Sequence, residues 1–233
     1  MQHYNKNKVN YLNTKKVRIK MFVDIVFPDN NEKKFIEIAE KLGIEGLCFV
    51  YNIKNKKDFL EKKEKINKIK EKTKINLFTA IISEPKDVRK SRQITKLIIC
   101  KSPEDNRHVF EKGKPAVIFE LEKTAKKDSM HSRNSGLNHI LCEIANKNKV
   151  LIGFSFSSLL DSEGMLRTQI TGRMMQNIRL CRKYKTKTII ASFAGDPYKM
   201  RAFHDLKSTF ISFGMHPKEA KDSLENIEIF IKG

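Results

Sequence analysis

Four short groups of basic and hydroxyl side chains have the types and spacing needed to bind phosphate. They are residues 88–92, 130–136, 163–184 and 200–205. An arginine guanidinium binds a phosphate through two parallel hydrogen bonds, and a serine hydroxyl adds a further donor. The segment 130–136 also leads into a predicted helix N-terminus, whose free N–H groups favour an anion. The chemistry that these groups indicate is binding to a polyanion, and a merely solvated surface is the alternative for the first three of them.

Nine basic residues in these groups are the candidates for contact with nucleic acid. They are Lys90, Arg92, Arg133, Arg167, Arg173, Arg179, Arg182, Lys183 and Arg201. At about 100° per residue, Arg179, Arg182 and Lys183 lie opposite the apolar stripe of the predicted helix 163–184. Arg167 and Arg173 flank that stripe, where they can bury their stems and direct their charged ends at a neighbouring loop. Arg201 is expected to pair with an acid or a phosphate.

Catalytic and metal-binding motifs are missing from the sequence. A metal-dependent hydrolase on a barrel needs several histidines and carboxylates at strand ends, yet the first predicted strand contains no histidine. His131 and His139 can approach each other, but the six histidines are scattered and structural roles are favoured. Asp24 lies at a predicted strand end, where it could in principle be catalytic. The sequence shows no catalytic partner for it, so a capping or hydrogen-bonding role is expected. With no P-loop, GxGxxG or GxSxG motif either, we predict no catalytic residue and no metal ligand.

Apolar segments typical of strands alternate with helical patterns almost to the end of the chain. The predicted strands are residues 18–27, 46–51, 75–82, 96–100, 116–121, 150–156, 188–192 and, weakly, 227–231. The predicted helices are residues 35–42, 55–72, 103–112, 136–148, 163–184, 198–213 and 216–226. Nearly continuous apolar strands separated by helices indicate a parallel sheet buried on both faces. We predict a TIM-barrel-like α/β barrel closed by its last strand, with an open doubly wound sheet as the alternative.

The domain organisation follows from the same pattern. Residues 1–16 have no apolar core and are interpreted as a flexible basic arm rather than a secretory signal. Residues 17–233 contain no low-complexity linker, so we expect a single domain. The helix 55–72 alternates lysine with glutamate, which favours a solvated surface.

The composition points to a polyanionic partner. The chain has 233 residues with 47 Lys+Arg and 27 Asp+Glu, which gives a net charge of +20 and a pI near 9.8. RNA, DNA and an anionic membrane surface are the candidate partners. The sequence contains no run of eighteen apolar residues, which is the length that a membrane-spanning helix needs. The cysteines are far apart in apolar segments, which predicts reduced core thiols in a cytoplasmic protein. They are Cys48, Cys100, Cys142 and Cys181.

Several motifs in the same order resemble one known family. Residues 132–142 read Ser-Arg-Asn-Ser-Gly-Leu-Asn-His-Ile-Leu-Cys, and residues 173–184 read Arg-Met-Met-Gln-Asn-Ile-Arg-Leu-Cys-Arg-Lys-Tyr. Residues 154–160, 189–192 and the C-terminal pattern from Met200-Arg201-Ala202 to Glu219-Ala220 follow the same likeness. Together these segments resemble the ribonuclease P protein component 3 family of archaea and eukaryotes. The likeness runs from about residue 18 to residue 226.

The resemblance implies a fold, a function and partners. The fold would be an α/β barrel of PHP-like shape that lacks the metal ligands of that class. The function would be that of a protein subunit of ribonuclease P, the endoribonuclease that removes the 5′ leader from precursor tRNA. The chain alone would not be catalytic and would bind no cofactor, because the RNA subunit holds the magnesium ions. The partners would be ribonuclease P RNA, a small ferredoxin-like protein subunit in a heterodimer or heterotetramer, other ribonuclease P proteins and, indirectly, precursor tRNA.

Two other functions remain open from the residues. A stand-alone metal-dependent phosphoesterase or nuclease would contain stoichiometric zinc or manganese and would hydrolyse its substrate without an RNA subunit. A general RNA chaperone or ribosome-associated protein would bind many RNAs equally well.

Overall fold

A parallel barrel of strands surrounded by helices forms the body of the protein. The computed structural model describes residues 21–125, 127–130 and 132–231, so the predicted arm 1–16 lies outside the described residues. The strands are β1 (Val23–Val26), β2 (Gly46–Tyr51), β3 (Asn76–Ile82), β4 (Ile98–Lys101), β5 (Val117–Phe119), β6 (Leu151–Ser155) and β7 (Thr188–Ala191). The helices are α1 (Glu32–Lys41), α2 (Lys56–Lys70), α3 (Val88–Ser91), α4 (His139–Asn148), α5 (Ser157–Leu160), α6 (Gly164–Lys183), α7 (Phe203–Ser212), α8 (Pro217–Glu225) and α9 (Glu228–Ile231).

The strands lie side by side in chain order, and every neighbouring pair is parallel. Successive side chains of a strand point to opposite faces, so each strand supplies two apolar cores. In β2, Cys48 and Val50 belong to the core inside the barrel, whereas Leu47 and Phe49 belong to the core under the helices. This burial on both faces explains the nearly continuous apolar strand sequences.

The barrel closes between β1 and β7 through a few specific contacts. Val26 forms a parallel bridge with Ala194, and the Phe27 amide donates to the Ala194 carbonyl at 2.8 Å. The buried Asp24 carboxylate accepts hydrogen bonds from the Ser192 amide and hydroxyl, both at 2.6 Å. The prediction of a TIM-barrel-like fold is therefore confirmed, and Asp24 has the hydrogen-bonding role expected of it.

The predicted eighth strand is wrong. Residues 227–231 contain the helix α9, and the preceding helix α8 packs against both β7 and β1. The Asn226 side chain donates to the Thr188 carbonyl at 2.8 Å, and Ile227 is buried with the core inside the barrel. The apolar residues Ile227, Phe230 and Ile231 are spaced three and four apart, which suits one helical turn better than a strand. The C-terminal helices thus cover the seam that an eighth strand would fill.

Several predicted helices begin later in the structure. The segment 103–112 is helical only near its end, where Val109–Gly113 forms a π-helical turn. Helix α4 begins at His139 because the Asn138 side chain accepts a hydrogen bond from the Leu141 amide and caps the helix. The predicted helix 198–213 is interrupted at residues 200–202, which are extended and separate a short turn from α7.

Candidate nucleic-acid interface

Lys90 and Arg92 lie in and directly after α3, in the middle of the link between β3 and β4. The Lys90 ammonium is 3.6 Å from the Asp87 carboxylate and lines a cavity of about 270 Å³ at the C-terminal ends of β2 and β3. Arg92 is exposed and has no ion pair with any other described residue. Of the two, Arg92 has the guanidinium that is available to an external anion.

The basic residues of α6 have four different environments. The Arg167 Nε donates to the carbonyls of Leu159 and Ser162 at 3.0 and 2.6 Å, which fixes the turn before the helix. Arg182 forms a salt bridge of 2.6 Å with Glu219. Of the remaining basic side chains of the helix, Arg173 is buried, whereas Arg179 and Lys183 are exposed.

Unlike Arg167, which is exposed but bound to two carbonyls, Arg179 and Lys183 are exposed and form no ion pair with the described residues. Lys183 has its ammonium 5.5 Å from the centre of the Tyr184 ring. Arg179 forms no ion pair within the described part of the chain. Both side chains can therefore bind a phosphate without first breaking a salt bridge.

Arg173 is placed differently from the prediction. Its side chain is only 1% exposed, and its Nε contacts the Asp128 carboxylate at 2.8 Å. Its Nη1 donates to the carbonyls of Glu122 and Ala125 at 2.8 and 2.7 Å. The prediction that Arg173 contacts nucleic acid directly is therefore corrected, because its guanidinium is buried against the loop that follows β5. The expectation that it aims at a neighbouring loop is met, and its role is structural.

Arg201 is half-buried after β7. Its Nη1 donates to the carbonyls of Tyr198 and Met200 at 3.1 and 2.7 Å, and its guanidinium lies 5.6 Å from the centre of the Phe156 ring. The expected acidic partner is not found among the described residues. Arg201 thus braces the loops after β6 and β7 and keeps part of its guanidinium at the surface.

Arg133 belongs to a long loop, residues 122–135, that is tied to α6. The Arg133 guanidinium lies over Gly172, and its Nη1 donates to the Gly172 carbonyl at 3.2 Å. The Asn177 side chain donates to the Ser135 carbonyl at 2.9 Å, and the Gln176 side chain reaches the Arg133 carbonyl at 3.2 Å. The loop is thus held by side chains of α6 rather than free in solvent.

Two glycines allow this arrangement, and sequence reasoning did not identify their roles. Gly136 has φ +72°, and a Cβ atom there would lie 2.2 Å from the Leu121 carbonyl oxygen. The two ends of the loop therefore approach too closely for any side chain. At Gly172 a Cβ atom would lie 3.1 Å from the Arg133 Nε. The order Gly-Arg-Met-Met-Gln-Asn at residues 172–177 was the available signal, because polar residues spaced three and four apart share one helix face.

A buried carboxylate lies beside the Arg173 contact. Glu122 is 1% exposed, and neither of its carboxylate oxygens has a hydrogen-bond partner elsewhere in the described residues. Burial raises the pKa of Glu122 to about 7.

Aromatic side chains fill the C-terminal mouth of the barrel, where barrel enzymes place their catalytic groups. The rings of Phe119 and Phe193 stack with centres 4.6 Å apart, and Phe27 lies 5.9 Å from Phe119. Glu120 follows β5 and is held by Lys101 at 2.7 Å and Lys123 at 2.9 Å. Burial raises the pKa of Glu120, but the hydrogen bonds from Lys101 and Lys123 outweigh it and hold the pKa below its usual value.

Metal ligands are not gathered anywhere in the part of the chain that the structure describes. No group of three or more His, Cys, Asp or Glu side chains there can hold a metal ion. His131, which the sequence placed near His139, lies outside the described residues. The four cysteines are buried and free. None of the helices in the described ranges has the length and apolar character required to cross a membrane.

Positive charge is concentrated on particular helices. Residues 54–74, which include α2, contain ten lysines and four acidic residues. Residues 164–187, which include α6, contain seven basic residues and no acidic one. By contrast, residues 29–45 around α1 have three basic and five acidic residues, and residues 203–225 have three and four. The net charge is therefore polarised around the barrel, away from α1, α7 and α8.

The fold and the site define a class: a TIM-barrel-like α/β protein with an aromatic-filled mouth and strongly basic outer helices. A family model described as RNase P subunit p30 matches residues 21–232. The chain belongs to this family, which confirms the resemblance found in the sequence.

Individual relatives agree with this assignment. Ribonuclease P protein component 3 of Thermococcus kodakarensis is 34% identical over 119 residues, which is 51% of this chain and 50% of that protein. The protein of the same description from Methanococcus maripaludis strain C5 is 29% identical over 142 residues, which is 60% of this chain and 58% of the relative. The matched segments thus span about half the length of these curated relatives.

A solved structure shows the same fold. A chain in the cryo-EM structure of archaeal ribonuclease P with mature tRNA superposes with a TM-score of 0.74 and 20% sequence identity. The superposition covers 90% of this chain and 90% of the other. The likeness therefore extends over nearly the whole barrel.

Proposed function

We propose that this chain is a protein subunit of ribonuclease P, the ribonucleoprotein that removes the 5′ leader from precursor tRNA. The observation that carries the proposal is the match of the family model to residues 21–232. The concentration of lysine and arginine around α2 and α6 supports it, because a surface of this kind suits a phosphate backbone. In this proposal the RNA subunit holds the magnesium ions and cleaves, while the protein binds no cofactor.

The mechanism that we propose is electrostatic. A folded catalytic RNA brings its phosphates close together, and their mutual repulsion opposes the active shape. Arginine and lysine side chains on a rigid barrel relieve that repulsion and lower the magnesium concentration that the RNA needs. Recognition of this kind depends on RNA shape and backbone more than on base sequence.

The protein partners belong to the same proposal. A small ferredoxin-like subunit would form a heterodimer or heterotetramer with this chain, and other ribonuclease P proteins would join the particle. The side of the barrel formed by α1, α7 and α8 carries a slight excess of acidic residues, which leaves it better suited to a protein than to RNA. Precursor tRNA would contact the chain only through the assembled particle.

A reconstituted particle tests the mechanism. Arg92, Arg133 and Arg179 are replaced together by alanine, and cleavage of precursor tRNA is measured at increasing magnesium concentration. We expect the variant to need several-fold more magnesium for half-maximal cleavage, with a flatter dependence of RNA affinity on salt. The matched control replaces three exposed lysines of α1 and α8, namely Lys33, Lys41 and Lys221, by alanine. An equal response of the two variants would contradict a specific role for the arginines.

A stand-alone phosphoesterase is the alternative function, and the structure does not favour it. The stacked rings of Phe119 and Phe193 occupy the mouth of the barrel, where a metal centre would need polar ligands. Metal analysis of the purified chain decides the matter. Stoichiometric zinc or manganese, with hydrolysis in the absence of the RNA subunit, would replace the proposed function.

A further inference from the structure

Three basic side chains from two different segments align along the outer face of α6. Gly172, Arg179 and Lys183 are separated by seven and four residues, and these spacings place them on one face of a helix. The Arg133 guanidinium occupies the position above Gly172 where that residue has no side chain of its own. Arg133 therefore supplies the cation missing from the helix at this level.

The position of Arg133 is fixed from both sides. Below it, the Gly172 carbonyl accepts the hydrogen bond from its Nη1 at 3.2 Å. Its own backbone carbonyl accepts from the Gln176 side chain at 3.2 Å, and the next residue but one is held by Asn177. The buried Arg173 holds two further residues of this loop, Asp128 and Ala125. The arginine side chain is thus ordered before any ligand arrives, which lowers the entropic cost of binding.

The absence of a side chain at Gly172 leaves space for the Arg133 guanidinium. Its Cβ position lies 3.1 Å from the Nε and 3.2 Å from the Cζ of Arg133, so a longer side chain would occupy the same space. Glycine in a helix interior is less favourable for the helix than alanine. At this position glycine instead allows the close approach of a charged group from a distant segment.

We propose that Arg133, Arg179 and Lys183 form one continuous phosphate-binding ridge for a strand of RNA, and that Gly172 is the positioning residue that seats Arg133 at its head. The inference rests on the proposed function, because it assumes that the chain binds RNA. It adds the place of binding and the residue on which that place depends.

Charge and accessibility favour RNA as the occupant of the ridge. Residues 164–187 contain no acidic side chain, so no carboxylate of α6 competes for these cations. Arg133, Arg179 and Lys183 are all exposed, and Arg182 on an adjacent face is already neutralised by Glu219. At 1.5 Å per residue, the ridge extends over roughly 16 Å from the level of Gly172 to that of Lys183. A ridge of this length can contact several consecutive phosphates, and it reads no base sequence.

A double-mutant cycle tests the ridge. The probe is a transcript of the ribonuclease P RNA of the source organism, and its affinity for the full chain is measured from low to moderate salt. We expect Arg133→Ala to reduce the log–log salt slope by about 0.7, the loss of about one phosphate contact. We expect Gly172→Leu to have the same effect, because leucine displaces the guanidinium. Combining the two changes should lower the affinity no further than either alone.

Matched variants separate positioning from folding. Gly195→Leu is the control, because Gly195 is exposed with open space at its Cβ position. It is expected to leave the salt slope unchanged. If Gly172→Leu lowers the unfolding midpoint in urea, Gly172→Ala replaces it, since alanine favours the helix. Its Cβ atom would lie 3.1 Å from the Arg133 Nε, so we expect a smaller reduction of the salt slope, and an unchanged slope would overturn the positioning role.

The outcomes distinguish this inference from the proposed function. Additive effects of Gly172→Leu and Arg133→Ala would overturn the positioning role. Unchanged affinity and slope for Arg133→Ala and Arg179→Ala, in a chain that still binds the transcript, would overturn the ridge and leave the function standing. Failure of the unaltered chain to bind the transcript, alone or with its partner proteins, would overturn both.

Discussion

At the scale of single residues, Asp24 helps to close the barrel between β1 and β7. Asp24 is the second residue of β1 and lies on the strand face toward the helices, where both of its carboxylate oxygens accept hydrogen bonds from Ser192. The carboxylate joins the first and last strands where no regular ladder links them. Burial raises the pKa of Asp24 to about 6, although the Ser192 hydrogen bonds counteract it.

Removal of the Asp24 carboxylate is expected to weaken the barrel seam. Asp24→Ala leaves the Ser192 amide and hydroxyl buried without their acceptor, which costs about 3 kcal/mol of unfolding free energy. Ser192→Ala removes the hydrogen bond that its hydroxyl donates to Asp24 and the one that it accepts from the Ala194 amide, and is expected to cost about 2 kcal/mol. Urea denaturation measures both variants, and an Asp24→Ala variant as stable as the original chain would contradict the closing role.

Glu122 is expected to make stability depend on pH. Burial raises its pKa to about 7 from an ordinary 4.5, so the folded chain keeps a proton that the unfolded chain loses between these values. Stability contributed in this way is complete below pH 4.5 and is lost as the pH rises through 7. At about 1.4 kcal/mol per pKa unit, the loss amounts to at most about 3 kcal/mol.

The variant Glu122→Gln checks this pH dependence. It removes the titrating group, so we expect its unfolding free energy relative to the original chain to be higher at pH 8 than at pH 4.5. Asp24 titrates in the same range in both proteins and cancels in the difference. Parallel pH profiles for the two proteins would show that the Glu122 carboxylate does not carry the effect.

At the scale of elements, the described residues of the 122–135 loop are attached to side chains and backbone of α6. Its two ends meet at Leu121 and Gly136, and Arg173 binds three of its groups from below. The loop ends close on themselves in the manner of a compact surface loop, a type that often carries function. Its tip exposes Met130, which is 93% accessible.

Loss of the buried guanidinium is expected to loosen this loop. Arg173→Met removes the ion pair with Asp128 and the hydrogen bonds to two carbonyls, which costs about 3 kcal/mol and weakens the attachment of the loop to α6. Amide hydrogen exchange at Ser129, Ser132 and Asn134 is expected to accelerate by at least tenfold. Arg179→Met on the outer face of the same helix is the control and should leave these amides unchanged. Equal exchange in both variants would refute the anchoring role.

The sequence predicted the elements whose signal is local and failed where distant segments decide. The strands were identified because burial on both faces leaves a continuous apolar run, as in Gly46–Tyr51. The segment 227–231 has a short apolar run too, but its packing under the barrel selects a helix. The helical wheel placed Arg173 at the edge of the apolar stripe correctly. It contained no information on the loop that lies there, so the guanidinium was assigned to RNA instead of to Asp128.

At the scale of the whole molecule, the net charge of +20 is distributed unevenly rather than spread over the barrel. The basic residues near α2 and α6 give the molecule two strongly positive faces, while the side of α1, α7 and α8 is close to neutral. A barrel with an aromatic-filled mouth and a polarised charge on its outer helices is suited to binding another molecule through its outer surface. The family to which the chain belongs identifies that molecule, in our proposal, as ribonuclease P RNA.

The most direct test of this account is the identity of the RNA that the chain binds in its own cell. The full chain is isolated from its host under native conditions, and the co-purifying RNA is sequenced and compared with total RNA. The account predicts strong enrichment of ribonuclease P RNA, together with cleavage of precursor tRNA at the 5′ leader by the isolated particle. Recovery of many RNAs in proportion to their abundance, or of none, would contradict it.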